Sequence, residues 1–391
     1  MRDRVPTPGR ENRVKITQDD GTVVAGVLEY DDQATQEGSP YTRGNVLPDD
    51  VCNAYNLDKV TSEPKDAFLA VPGIMGKALL TITVTKINGQ PYPGVVVNGL
   101  SNIDTPRRTT NSEGKVVVYV DAGTYNLTFA PSPVCVDTSI PGKQVVVSAG
   151  AAISVTTQEA SKGLTNIDIT SSQKVGFSAN VQNLDIFLVG GGGGGGGSES
   201  LSHKPAGGGG GGRTKTQLNV SFTPYISYNA IIGNGGNGGS VGANGGTGGT
   251  TSFLGISAIG GNGGKGVIND NYANGGDGGS GGGAGGGNGG DDGSDGEDSG
   301  NNASGGQGQG TTTRAFGETT GQIYSGGGGG GLGYGGTGGG DGGGVGIEGY
   351  DATGYGGGGG GGTSTSHNPT SGRAGGKGYQ GIIKLRWVNA S

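Results

Sequence analysis

The sequence predicts a mainly β protein in three parts. These are a small N-terminal module at 1–75, a β-sandwich spacer at 78–160, and a C-terminal β-sandwich with inserted polyglycine II helices at 163–391. Two observations predict this division. Short alternating apolar segments separated by turn signals fill the second part, which is typical of β-sandwich domains. Glycine is concentrated in the third part, because only 16 of the 97 glycines lie in the first 189 residues.

The N-terminal module begins with a predicted hairpin. Arg13–Thr17 alternates between apolar and polar residues, Asp20-Gly21 supplies a turn, and the chain returns from Val23 to Tyr30. Two short helices are expected to begin at Pro48 and near Thr61. Because the module has few apolar residues for a core of its own, we expect it to assemble with copies of itself or with a larger particle.

The spacer has the pattern of a β meander. Asn88-Gly89 is a strong turn signal between two alternating segments. The expected strands are Leu80–Lys86, Val95–Val97, Val116–Val120, Tyr125–Phe129 and Gln144–Val147.

The C-terminal part alternates apolar strands with pure glycine runs. The expected strands are Val175–Val189, Thr216–Phe222, Tyr225–Ile232, Thr251–Ser257 and Gly381–Val388. The pure glycine runs are 190–197, 207–212, 326–331 and 356–362. Because the strands hold most of the apolar side chains that could form a core, the glycine runs are inserted between core strands.

Elsewhere in this part glycine recurs in triplets, as in Asn234-Gly-Gly-Asn237-Gly-Gly-Ser240. Three residues per turn is the period of the polyproline II helix, in which an eight-residue run spans about 25 Å. A single glycine helix of this kind would not stay folded, because it has no internal hydrogen bonds and glycine loses much backbone entropy on ordering. We therefore expect several such helices side by side, exchanging backbone hydrogen bonds.

Composition excludes several classes of function. With 25 Lys+Arg against 32 Asp+Glu and a net charge of −7, the chain lacks the basic surface of a nucleic-acid-binding protein. Cys52 and Cys135 are far apart in sequence and are interpreted as two free structural thiols. The longest apolar stretch, 67–80, is too short and interrupted to cross a bilayer, so no membrane insertion is expected. No hydrophobic leader follows Met1, which predicts synthesis in a cytoplasm without a secretory signal peptide.

No catalytic residues and no cofactor are predicted. Matches to GxGxxG, such as 233–238, arise by chance at this glycine content, and neither Lys265 nor Lys377 is followed by the Ser or Thr of a phosphate-binding loop. The two histidines, His203 and His367, are interpreted as surface loop residues because nothing in the sequence supplies the rest of a triad.

The acidic cluster at 291–298 is the strongest ionic feature of the chain. Its carboxylates could offer oxygens to calcium, but the spacing is not that of an EF-hand loop. We interpret the cluster as a solvated loop and predict no metal site, with calcium binding left as an alternative.

Three resemblances suggest a function. Arg4-Val-Pro-Thr7, Gln36–Pro40 and Leu47 resemble the start of tail-associated proteins of phages and prophages of Gram-positive bacteria, although an insertion at Asp19–Val24 departs from it. The turns at 89–94, 109–114 and 122–125 resemble carboxypeptidase-regulatory-like or transthyretin-like spacer domains. The order of strands and glycine runs resembles glycine-rich distal domains of phage tail proteins and, loosely, T-even-type phage adhesins.

These resemblances imply a virion tail fibre or tail-tip receptor-binding protein, made in the host cytoplasm, that is not an enzyme. Its implied partners are phage tail or baseplate proteins and a glycan or protein of the host bacterial surface. A homotrimer held by residues 1–75 is implied by the threefold symmetry of such appendages. Two alternatives are a structural glycine-rich protein, either ice-binding or of the cell wall, and a glycan-degrading tail enzyme.

Receptor contact is predicted at the interruptions of the glycine helices, because a glycine run has no side chains with which to discriminate a ligand. The interruptions 198–206, 269–273, 291–302 and 363–373 are expected to form exposed turns, with 198–206 at the far end of the first run. The predicted contact residues are Ser198, Glu199, Leu201, His203, Lys204, Asn271, Tyr272, Asp291, Asp292, Asp295, Thr365, His367, Asn368 and Arg373.

Overall fold

A computed structural model of the chain is mainly β, as predicted. It describes residues 13–17, 21, 23–27, 47, 49, 51–52, 57–62, 66, 76–100, 102–199, 204–268, 273–290, 304–306, 313–336, 338–340, 347–364 and 372–390. The chain divides into two compact units, Met1–Pro72 and Gly73–Ser391. Within the described part of the chain, no helix is long and apolar enough to cross a membrane.

The first unit contains the predicted hairpin. Strands β1 (Arg13–Thr17) and β2 (Val23–Val27) pair antiparallel, with Arg13 opposite Val27. Asp49, Val51 and Cys52 are helical, and most of the two predicted helices lies outside the described residues.

The second unit begins with eight strands. They are β3 (Ala78–Thr85), β4 (Val96–Asn98), β5 (Lys115–Val120), β6 (Gly123–Ala130), β7 (Thr138–Ser139), β8 (Lys143–Val147), β9 (Ala152–Gln158) and β10 (Ala160–Ser161). They form sheets of order β5-β3-β9 and β4-β6-β8, and a short β10-β7 pair. β3 alternates strictly between buried and half-buried residues, so Ala78, Leu80, Ile82 and Val84 all face one side. Buried residues of both three-stranded sheets form a single core.

The glycine-rich part of this unit contributes a second set of elements. They are β11 (Asn166–Ile169), β12 (Gln173–Val175), β13 (Val181–Val189), β14 (Thr214–Val220), β15 (Tyr228–Ala230), β16 (Thr251–Phe253), β17 (Ile256–Ala258), a 3-10 turn at Ala315–Gly317, and β18 (Ile382–Asn389). Four strands form an antiparallel sheet of order β11-β18-β13-β14.

Strand β13 is central because both of its faces are covered. Ile186 and Leu188 pack on one side, in a core that includes Trp387. Phe187 and Val189 pack on the other side, against Tyr324. An apolar run without polar alternation is expected for a strand buried on both faces.

The predicted strand over 175–189 is in fact two strands, β12 and β13, separated by residues 176–180. Hydrogen bonds to residues 136 and 137, which directly precede β7, accompany the interruption. The amide of Val136 donates to the Gly176 carbonyl (3.0 Å), and the Ser178 amide donates to the Asp137 carboxylate (2.9 Å). Because the 176–180 backbone bonds to these residues and to Tyr225 and Ala390, it does not continue either ladder.

A buried polar cluster lies at this junction. Asp137, Glu159 and Cys135 are all buried, and the Tyr225 hydroxyl donates to Glu159 Oε2 (2.9 Å). Burial, together with the nearby charges of Glu159 and Asp137, raises the pKa of the Cys135 thiol to about 12. The cluster therefore ties the first sheets to the glycine-rich part through satisfied hydrogen bonds rather than through reactive groups.

The pure glycine run 190–197 continues β13 directly out of the sheet. Val189 is paired with Thr214 on one side and with Ile382 on the other, and the Gly190 amide donates to Arg213 (2.9 Å). Beyond Gly190 the run keeps the same two neighbours that β13 has in the sheet. Segments 207–212 and 373–381, which lead into β14 and β18, both bond to the run. The sheet thus sets the position of the first three glycine segments.

Each turn of three residues in run 190–197 bonds in three directions. The amides of Gly191, Gly192 and Gly193 donate to Gly249 (2.9 Å), Tyr379 (2.9 Å) and Gly210 (2.8 Å). The next three amides repeat the same rotation, and the carbonyls accept from three further segments. The six segments that surround this run are 207–212, 233–240, 243–249, 259–267, 356–362 and 373–381.

Runs 207–212, 326–331 and 356–362 are surrounded in the same way, each by six segments that exchange backbone hydrogen bonds with it. The result is a hexagonal lattice of extended helices whose period is the three residues of polyproline II. All four pure glycine runs are interior members of the lattice. The predicted bundle of side-by-side glycine helices is therefore present in the structure.

Interior positions require glycine for reasons of space. A Cβ atom added at any residue of run 190–197 would come within 3.0 Å of a backbone carbonyl oxygen of a neighbouring segment, closer than real Cβ atoms approach. None of these eight residues has a positive φ, so backbone conformation is not the reason. The neighbouring helices are too close for any side chain.

The triplet segments form the outside of the lattice. In segments 233–240, 243–249 and 259–267 the third residues are exposed while the intervening glycines are half-buried or buried, so one side chain per turn points to solvent. These exposed residues include Asn234, Asn237, Ser240, Asn244, Thr247, Asn262 and Lys265. A pure run therefore marks an interior helix. A triplet marks a peripheral helix in these three segments, whereas in the triplet segment 274–280 the third residue Ser280 is fully buried.

Two adjacent glycines of segment 243–249 provide a test of the lattice. An added Cβ at Gly245 would clash with the Gly194 carbonyl, whereas at Gly246 its nearest neighbour would be the Asn237 amide at 3.2 Å. We expect Gly245→Ala to lower the free energy of unfolding by about 3 kcal/mol, while Gly246→Ala changes it by less than about 1 kcal/mol. Denaturant unfolding of both variants measures the difference, and equal losses would contradict the close packing.

The Cys135 thiol provides a second test. Because its pKa is raised to about 12, we expect it to stay protonated and unreactive at pH 8 in the folded chain. In the Cys52→Ser variant, N-ethylmaleimide should leave Cys135 unlabelled under native conditions and label it completely in guanidinium, as followed by mass spectrometry. Rapid labelling of the folded variant would show that the junction is open.

Candidate functional site

The end of the lattice opposite the sheet, which we term the far end, brings several chain turns together. Ser198 follows run 190–197 and forms bridges with both Val267 and Arg373. The Ser198 amide donates to Arg373 (2.8 Å), the Arg373 amide donates back to Ser198 (3.0 Å), and the Glu199 amide donates to Val267 (3.1 Å). Segments that are distant in sequence therefore meet at this end.

Small apolar side chains close the lattice just beneath the far end. Ala206, Val267 and Ala273 are fully buried and form one cluster. Each stands at the end of a glycine segment, where a methyl or isopropyl group replaces the hydrogen that the interior requires. Through Ala206 the cluster covers the end of the interior run 207–212.

The turn at 240–243 adds an apolar feature to the far end. The Ala243 amide donates to Ser240 (2.8 Å), and Gly242 takes the positive φ of +73° that this tight turn requires. A Cβ on Gly242 would lie 3.4 Å from Ile268 Cγ1 and 4.0 Å from the Glu199 Cβ, so these residues are neighbours. Val241 and Ile268 are 52% and 50% exposed.

We term Glu199, Val241, Gly242, Ile268 and Arg373 the tip surface. Two exposed branched apolar side chains lie there beside residues of both charges. Such a mixture of apolar and charged groups on a fixed backbone suits recognition of another molecule. Within the described residues, no group of three or more His, Cys, Asp or Glu is placed to hold a metal ion.

The structure places four of the predicted contact residues. Glu199, Lys204 and Arg373 are half-buried at the far end, and Ser198 is fully buried. Ser198 is therefore part of the lattice and its side chain is not exposed for contact. The remaining predicted residues lie outside the described part of the chain, and they are Leu201, His203, Asn271, Tyr272, Asp291, Asp292, Asp295, Thr365, His367 and Asn368.

Sequence reasoning missed Val241 and Ile268. The signal that identifies them is a break in composition, because the third residues of the neighbouring triplets are polar (Asn, Ser, Thr or Lys) and these two are not. An apolar residue at the end of a glycine segment cannot bury its side chain inside the lattice, because the interior has room only for glycine. It is buried only if another turn covers it, as happens at Val267.

The chain belongs to a glycine-rich domain family, whose model matches residues 168–388, more than half of the chain. The match spans the four-stranded sheet and the lattice. Together with the rigid glycine lattice, it indicates a surface or structural protein.

Among solved structures, the chain is similar to a streptococcal ancillary pilin, at 8% sequence identity and a TM-score of 0.19. That match covers 29% of this chain and 41% of the pilin chain, so it spans less than half of either protein. A comparison with curated protein sequences gives no significant match.

Proposed function

We propose that this chain is a receptor-binding protein of a phage tail fibre or tail tip, and that its tip surface attaches the virion to the host bacterium. The observation that carries the proposal is the exposure of Val241 and Ile268, next to charged residues, at the end of a rigid lattice. The resemblance of the N-terminal sequence to phage tail-associated proteins supplies the setting.

The lattice suits a protein that has to present a contact surface at a distance. Run 190–197 extends about 25 Å from the sheet, and its backbone is bonded to six surrounding segments. A surface held by such a backbone loses little conformational entropy on binding, which favours affinity. The receptor in this proposal is a glycan or a protein of the bacterial surface, and the proposal includes no catalytic step.

Attachment to the virion is assigned to residues 1–75, with phage tail or baseplate proteins as partners. Met1–Pro72 is one of the two compact units of the chain, as expected of an attachment module. We propose that this unit also holds a homotrimer, since its small apolar content is better buried between copies.

The tip surface is tested by two isoleucines of one segment. Ile268 lies at the far end of segment 259–267 and is 50% exposed, whereas Ile259 lies at the sheet end and is 57% exposed. We expect Ile268→Asp to reduce adsorption to host cells at least about tenfold, because a carboxylate replaces an apolar contact at the centre of the surface. Adsorption is measured as the bound fraction of labelled protein.

Ile259→Asp is the matched control, since it makes the same change on the same segment at the opposite end. It should leave adsorption unchanged, and both variants should melt within a few degrees of the parent chain. If Ile268→Asp adsorbs as well as the parent, recognition lies elsewhere. If the two variants lose adsorption equally, the loss is caused by the added negative charge and not by a change at the tip surface.

The oligomeric state is tested by light scattering. We expect the full chain to have the mass of three 38.1 kDa copies and a chain truncated to 76–391 to have the mass of one. The physical reason is that residues 1–75 have few apolar residues for a core of their own, so association between copies would bury more apolar surface. A full-length monomer with slow amide exchange in β1 and β2 would remove the trimer from the proposal.

A further inference from the structure

A second surface of the lattice carries exposed aromatic side chains along its side, from the neighbourhood of Arg373 toward the sheet. It lies where segment 347–352 runs beside segment 373–381 in parallel, with the Gly349 amide donating to Ala374 (3.0 Å) and the Ala352 amide to Lys377 (2.9 Å). We term Tyr350, Tyr355 and Tyr379, with the intervening Asp351 and Lys377, the tyrosine flank. Tyr350 is 54% and Tyr379 is 38% exposed.

The backbone of Tyr350 is fixed within the lattice. Its carbonyl accepts a hydrogen bond from the Gly360 amide (2.9 Å). The same oxygen lies so close to Gly340 and Gly376 that a Cβ on either residue would clash with it. The main chain at Tyr350 is therefore held from three sides while its ring remains at the surface.

Tyr379 is held in a similar way. Its amide donates to the Gly357 carbonyl (2.8 Å), and its carbonyl accepts from the Gly192 amide (2.9 Å), so it bonds to two interior runs. Its ring packs edge-on against Tyr355, with centroids 5.4 Å apart. This contact fixes the orientation of an aromatic face that is open to solvent.

The two anchors are separated along the lattice. Tyr350 lies beside residue 375 in the register of the two segments, which places it four residues, or about 12 Å, from Tyr379. The exposed Asp351 and Lys377 lie between them. The main-chain amide of Lys377 donates to the Asp351 carboxylate (2.6 Å). The flank therefore presents an aromatic surface, a polar interval and a second aromatic surface.

The charges on this flank limit what it can bind. Lys377 contributes one positive charge, while Asp351 and the exposed Glu348 contribute two negative charges. Such a balance gives no attraction for polyanions such as nucleic acids. A long apolar helix would need a continuous groove, which the polar interval interrupts.

We propose that the tyrosine flank binds an uncharged glycan chain that lies along the lattice axis. Sugar rings have apolar C–H faces that stack on tyrosine rings, and their hydroxyls fit the polar interval between the two anchors. Tyrosine supplies this contact area with few rotatable bonds, and its backbone here is already rigid. The inference rests on the proposed attachment function for its biological setting, and it names the class of ligand.

Direct binding tests the inference independently of host cells. The full-length chain is applied to a printed array of bacterial glycans that includes neutral and anionic chains, and the dissociation constant is then measured for the neutral glycan with the strongest signal. Tyr350→Ser should weaken that binding at least about tenfold, and adding Tyr379→Ser should weaken it further. Thermal melting checks that each variant is folded.

Tyr334→Ser is the matched control, because Tyr334 is 73% exposed on another segment of the lattice and its carbonyl is also bonded, to the Gly305 amide (2.8 Å). It should bind like the parent. The inference is overturned by binding to no neutral glycan, by binding to anionic glycans alone, or by an equal loss in Tyr334→Ser and Tyr350→Ser. Failure here with adsorption still lost in Ile268→Asp would leave the proposed tip function standing.

Discussion

The lattice depends on one constraint, which is that two backbones approach more closely than any side chain allows. The space that a Cβ would need at the interior glycines is occupied by a neighbouring carbonyl oxygen, so an α-hydrogen points at that oxygen instead. Contacts of this kind are weak, at about 0.5–1 kcal/mol each. Because nearly every interior residue makes one in addition to its N–H bond, they recur along the whole length of each run.

The small free energy that each glycine contributes explains why the lattice needs the sheet. Ordering one backbone residue costs about 1–2 kcal/mol, and a net hydrogen bond contributes about 0.5–1.5 kcal/mol, so each glycine is close to neutral even with its weak contact added. The apolar cores around β13 supply the surplus and also the register. Since β14, β13 and β18 adjoin segments 207–212, 190–197 and 373–381, the sheet fixes the alignment of three neighbouring helices.

Much of this architecture could be predicted from the sequence, because the pure runs have no side chains, as the close packing of the interior requires, whereas the triplets carry one side chain per turn. The order of helices around a run could not be predicted, since glycines are identical and the neighbours of Gly192 and Gly193 come from distant parts of the chain. The burial of Ser198 was missed for a related reason, because the lattice continues one residue beyond the glycine run. The exposure of Val241 and Ile268 depends on which turns cover them, which the sequence does not encode locally.

The structure separates the residues that hold the fold from those that face other molecules. Interior helices are joined through backbone atoms alone, so no side chain of an outer triplet or a far-end turn is needed for that bonding. A substitution at Asn237 or Thr247 therefore alters the surface chemistry at little cost in stability, whereas the interior glycines accept no side chain. A protein whose partners change can vary its turns and outer positions while its four pure glycine runs stay fixed, and this division of roles suits a surface protein.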